Sequence, residues 1–135
     1  MWNRLKETIF DMVLPRSCLG CAKEGKYVCE QCDLFLSEAP SIFPKGDLEE
    51  LVSAWEYDGL IKEVISKIKY NGVFDAINEL VEKALKIRKV YLSEDTIITF
   101  VPMFKKKEKQ RGFNQAELIA RKVGEMTDRK ALPLL

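Results

Sequence analysis

The sequence predicts an α/β protein in which a small cysteine module precedes strands that alternate with amphipathic helices, the pattern of a largely parallel sheet. Three observations carry this. All four cysteines fall in two Cys-x-x-Cys pairs between residues 18 and 32. Apolar residues recur with helical period in three stretches after residue 58, and runs at 51–57 and 96–101 have strand composition. The 135 residues suffice for one compact domain, or for a small module plus part of a larger one. Hydrophobic residues at 47% and charged residues at 32% exclude a disordered chain. With 22 Lys+Arg against 21 Asp+Glu, the net charge of +1 provides no global field toward nucleic acid or membrane, so anion binding must come from local clustering. The absence of histidine excludes His-based triads, His metal ligands and His general bases.

Residues 1–15 form the first expected element. Trp2, Leu5, Ile9, Met12 and Val13 share one helical face, and Pro15 ends the helix. Charges of both signs on the polar face argue for a packing helix over a membrane anchor. Lys6, Glu7 and Asp11 interrupt any signal-peptide core, and no apolar run approaches the roughly 18 residues of a membrane span. A cytoplasmic protein without membrane insertion is the expectation.

The cysteine module spans residues 16–40. Cys18, Cys21, Cys29 and Cys32 offer four thiolates, the full complement of a structural zinc, and each Cys-x-x-Cys turn can aim both sulfurs at one centre. Gly20 eases the first turn, and Gly25 lets a tight hairpin carry the second pair over the first. Four cysteines on one ion leave no open position, so such a site is structural, and metal ligation would supply much of the folding energy of so small a unit. Lys23 and Lys26 could offset the charge of a tetrathiolate or simply be solvated. Two disulfides would suit a secreted domain, and a redox pair would open a helix after a strand; neither context is present. An iron–sulfur centre uses the same ligands and stays open on spacing alone.

A linker-like stretch from Ser37 to Gly46, with Pro40 and Pro44, leads to a second domain at 47–135. Leu51 to Tyr57 reads as a strand. Leu60, Ile61, Val64, Ile65 and Ile68 place a helix up to Tyr70, stopped by Asn71-Gly72. A second helix runs from Val73 to about Lys89 on Ile77, Leu80, Val81, Ala84 and Leu85. Ser93-Glu94-Asp95-Thr96 is a turn, and Thr96 to Val101 has the near-continuous apolarity of a strand covered on both faces, closed by Pro102. Met103 to Phe113 reads as a polar loop, and a final helix starts at Asn114, with Glu117 completing an approximate capping box. Ala131 to Leu135 could begin a third strand. Two strands cannot form the core of a parallel sheet, so the sheet is expected to be incomplete.

The stretch from Phe104 to Gln115 carries Lys105, Lys106, Lys107, Lys109 and Arg111 against Glu108 alone, a local charge of +4. It lies between the C-terminal end of a strand and a helix start at Asn114, where open α/β sheets bind ligands and where free N–H groups favour anions. Phosphate, pyrophosphate or a nucleic-acid backbone matches this chemistry, while a solvated lysine loop is the plainer reading. Phe104 and Phe113 flank the cations, with Trp55 and Tyr57 elsewhere, and packing is the default role of each.

These motifs occur in a recognisable order: Leu14-Pro-Arg-Ser-Cys-Leu-Gly-Cys, Cys29-Glu-Gln-Cys, the run from Tyr57-Asp-Gly to Lys69-Tyr70, Val101-Pro102, and Arg111-Gly-Phe-Asn-Gln-Ala116. From about residue 10 to residue 127 the chain resembles the ComF family of competence-associated, phosphoribosyltransferase-like proteins. The resemblance implies a zinc-ribbon-like module joined to a type I phosphoribosyltransferase-like sheet with helices. It also implies an accessory role in natural transformation, with single-stranded DNA and other competence proteins as partners, and places Arg111 and Asn114 near a phosphate site. The signature of the form Asp-Asp-x-x-Thr-Thr-Gly-x-Thr that holds phosphoribosyl pyrophosphate in such enzymes does not occur in these residues. The chain therefore resembles the N-terminal portion of a ComF protein. No catalytic residue is assigned, and Mg²⁺ and phosphoribosyl pyrophosphate are expected only with a further C-terminal half. Two other readings are a fragment of an active phosphoribosyltransferase and a stand-alone zinc-ribbon adaptor for nucleic acid or protein.

Overall fold

A computed structural model describes residues 16–90 and 92–134. The helix expected at 1–15 lies outside the described residues. The chain divides into two compact units, one ending at Leu36 and the other beginning at Ser37, so the proline-bearing stretch belongs to the second.

In the first unit a short hairpin turns at Gly25, whose φ of 112° suits glycine, and Ser17 bridges Glu24 in antiparallel fashion. The Gly25 N–H donates to the Arg16 carbonyl at 2.7 Å. Helix α1, Glu30–Asp33, starts at Cys29, whose sulfur accepts from the Cys32 N–H. Val28 is fully buried, and Cys18 and Cys29 are buried with it.

Three helices build the second unit where apolar periodicity placed them. Helix α2, Gly59–Asn71, buries Ile61, Val64 and Ile68 and stops at Gly72 in the left-handed conformation. Helix α3, Asp75–Arg88, buries Ala76, Ile77 and Val81. The basic stretch forms helix α4, Lys105–Arg111, where the sequence reading expected a loop. Lys, Glu, Gln and Arg are all good helix formers, but with no apolar face the segment offers no period to read. Helix α5, Gln115–Thr127, buries Ala120 and Gly124. Helix α3 packs against α5 and more lightly against α2. Each buried Ile or Val contributes about 1.5–3 kcal/mol, which makes the α2–α3–α5 contact the core of this unit.

Among the described residues the expected strands are reduced to isolated bridges. Residues 51–57 pair antiparallel with the preceding stretch, through Ile42–Leu51 and Glu38–Trp55. Ile42 and Leu51 exchange both backbone bonds, at 3.2 and 2.9 Å. The Arg88 guanidinium clasps this arm, donating to the Ala39 carbonyl and, at 3.4 Å, to that of Ala54. Residues 96–101 make one parallel bridge, Ile98 to Ala131, supported by Leu132 N–H donating to the Ile98 carbonyl at 2.9 Å. Ile98 and Phe100 are partly covered, while Ile97 and Val101 are 61% and 72% exposed. Apolar continuity thus marked an extended segment but not its cover, because what lies over a strand is decided by distant chain. No helix among the described residues is long and apolar enough to cross a membrane.

Candidate metal centre and cationic cleft

The hairpin and the α1 start bring all four cysteine sulfurs within 4.8 Å of one another. Cys21 and Cys29 sulfurs approach to 3.5 Å. Four thiolates about 2.3 Å from a common ion stand about 3.8 Å apart in a tetrahedron, so the donor set and its spacing fit a single metal ion. Backbone amides point at the sulfurs: Cys29 N–H lies 3.4 Å from Cys18 Sγ, and Cys32 N–H lies 3.5 Å from Cys29 Sγ. Such donors orient thiolate ligands and temper their charge.

The electrostatics are those of acids crowded together. Burial pushes the Cys18 thiol up, but N–H donors from Cys29, Gly20 and Cys21 outweigh it and bring the group down to about 6. The Cys32 N–H likewise holds Cys29 below its ordinary value. Cys32 is pushed up to about 12, first by Cys18 and then by Cys21 and its own burial. Four thiols this close cannot all ionise unless a cation joins them. The four cysteines can therefore hold a metal ion. Nearby, Lys26 pairs with Glu30 at 3.1 Å and so remains on the surface.

In the second unit the end of α2 and one side of α4 face each other across a cleft of about 430 Å³. Lys69 and Tyr70 come from α2, and Lys107, Gln110 and Arg111 from α4, with Phe113 at the edge. Among the described residues, none of those lining it is acidic. Arg111 donates to Gln115 Oε1 at 2.8 Å, and its guanidinium sits 5.4 Å from the centre of the Tyr70 ring. Lys69 lies 5.9 Å from the Tyr57 ring, a second cation–π contact that directs its ammonium. Phe113 meets Phe74 edge to face at 4.4 Å and 85°, a packing role that ties the α4–α5 turn to the start of α3.

The six basic-segment positions picked from sequence are thereby separated. Lys107 and Arg111 line the cleft, whereas Lys105, Lys106 and Lys109 are exposed on α4 outside it. Asn114 is buried, and its Oδ1 accepts the Ala116 N–H at 3.0 Å, so it caps α5. Glu117 turns instead to Arg121, at 2.7 Å, leaving the capping box half made. In the sequence Lys69 and Tyr70 stand out only as the end of the 57–70 run that carries the family resemblance; the structure places them across the cleft from α4.

A cysteine module able to hold a metal ion, followed by a helical unit with a cleft whose described lining residues include cations and no acid, defines the class of protein. Over 94 residues, 69% of this chain, the sequence is 30% identical to Competence protein ComFC of Bacillus subtilis (strain 168). The chain belongs to the ComF family. The match spans 38% of that relative's length. No family profile matches the chain, and no solved structure matches it.

Proposed function

We propose that the protein is a ComF-type accessory factor of natural transformation that handles internalised single-stranded DNA in the cytoplasm, alongside other competence proteins. The 30% identity to Competence protein ComFC carries the reading. The cationic cleft supports it, because a strand of phosphates needs cations unopposed by carboxylates. In this reading Cys18, Cys21, Cys29 and Cys32 hold one zinc ion, which supplies folding energy to the first unit and no chemistry. Lys107 and Arg111 take phosphates in the cleft, and Lys105, Lys106 and Lys109 add a diffuse field along α4. The parallel bridge at Ile98 belongs, on the same reading, to a phosphoribosyltransferase-like sheet. Deleting the gene in its host should lower the yield of transformants severalfold without slowing growth, with recovery by the intact gene. An unchanged yield would sink the proposal.

A further inference from the structure

The cleft between α2 and α4 contains more than charge. Tyr70 is 74% exposed even with Arg111 against its ring, so most of the aromatic surface is open to solvent. A large exposed aromatic inside a ring of cations is unusual for a site that needs only to attract phosphate, since charge alone suffices for that. Lys69 is adjacent in sequence, and Lys107 and Arg111 stand on the facing helix, so cations from both helices line the cleft that holds the ring. The volume of about 430 Å³ falls within the range of small-ligand sites. Flat aromatic surface between cations matches a nucleobase with a phosphate on either side, that is, one step of a single strand. Arg111 adds a guanidinium plane parallel in function to the ring, because both can stack on a base.

The geometry points to Tyr70 as the stacking platform for one base of a bound single strand, with Lys69, Lys107 and Arg111 gripping the flanking phosphates. The inference rests on the DNA-handling reading and adds to it a base contact and two residues from α2. It gives the cleft a preference that charge cannot supply: a strand with bases should bind better than the same backbone without them.

The test is fluorescence anisotropy of the full chain with a labelled thymidine dodecamer and with an abasic dodecamer of equal charge. The intact protein should favour the thymidine strand by about tenfold. Tyr70→Ala should erase that preference while keeping the salt slope, and Tyr70→Phe should retain it. Because the side chain is exposed, circular dichroism of both variants should match the parent. Equal affinity of the intact protein for the two strands, with normal salt dependence, would overturn the stacking platform and leave the DNA-handling reading standing. So would Tyr70→Ala retaining the preference. Thymidine monophosphate displacing the strand at strand-like concentrations would reassign the site to free nucleotides and overturn the strand assignment. No binding of either strand at about 50 mM salt would remove the DNA-handling reading and the platform with it.

Discussion

Gly124 shows how one residue sets the end of α5. A Cβ built there would lie 2.5 Å from the Arg129 carbonyl oxygen, so the returning chain passes directly over a position that only glycine leaves clear. The same crossing is fastened by the Arg129 N–H donating to the Gly124 carbonyl at 2.8 Å, with Asp128 left-handed between them at φ 55°. Gly124→Ala gains roughly 1 kcal/mol of helix propensity, yet overpacking against fixed backbone costs about 1–3 kcal/mol, so the clash prevails. A thermal melt of the variant should show a midpoint several degrees below the parent. A midpoint at or above the parent would mean that residues 129–131 shift freely. The sequence reading passed over this glycine, because the reason for it lies five residues on and becomes visible only when the chain turns back. Cys18, Cys21, Cys29 and Cys32 were the opposite case, because their spacing states their geometry within a single turn each.

Among the elements, α2, α3 and α5 were legible because each buries a stripe that repeats along its own sequence. Helix α4 was not, since seven residues of Lys, Glu, Gln and Arg show no stripe, and its helical state depends on propensity and on Gly112 stopping it. The extended segments were half legible: 96–101 was marked by β-branched residues, but its partner near Ala131 is more than thirty residues away. The antiparallel partner of 51–57 was hidden in a stretch that prolines made look like a linker. Helix α4 carries its own prediction. Each phosphate contact on a single strand adds about 0.7 to the log–log salt slope, so changing Lys105, Lys106 and Lys107 together to Gln should lower that slope by about two units. Gln has nearly the helix propensity of Lys, and the three side chains are exposed, so helicity should be unchanged. An unchanged slope would return Lys105–Lys107 to the solvated surface and leave Lys109 and Arg111 as the α4 cations able to meet a phosphate.

At the scale of the whole molecule, the two units depend on different sources of stability. Among its described residues the first buries Val28 and two of its own cysteines, so there an ion worth about 10 kcal/mol or more to a small metal module would outweigh apolar burial. The second buries the Ile61–Val64–Ile68 stripe against α3 and needs no ion. Cys18→Ser should therefore abolish metal binding and expose residues before Leu36 to proteolysis, while helicity from α2 to α5 persists; elemental analysis of the parent should give one zinc per chain, and iron in its place would replace the zinc assignment. The same partition bears on catalysis. Type I phosphoribosyl chemistry needs carboxylates for the ribose hydroxyls and Mg²⁺, with loop hydroxyls and amides around the 5′-phosphate. In these residues the nearest composition is Ser93-Glu94-Asp95-Thr96, and there the Ser93 and Thr96 hydroxyls bond each other at 2.9 Å while the Thr96 N–H closes a turn onto the Ser93 carbonyl. That turn has its hydroxyls already engaged, and the cationic cleft has no acid among its described lining residues to place a metal or a ribose. Lys107 and Arg111 can still attract the pyrophosphate end of phosphoribosyl pyrophosphate. This 135-residue chain should accordingly bind that compound weakly, with a dissociation constant near or above about 1 mM, in a salt-sensitive way that inorganic pyrophosphate matches. Titration calorimetry with Mg²⁺ present is the measurement, because a true ribose site would separate the two ligands. Micromolar, saturable binding of phosphoribosyl pyrophosphate that pyrophosphate does not reproduce would mean that carboxylates outside the cleft assemble a ribose site, and the assignment of this chain to DNA handling without phosphoribosyl chemistry would fall.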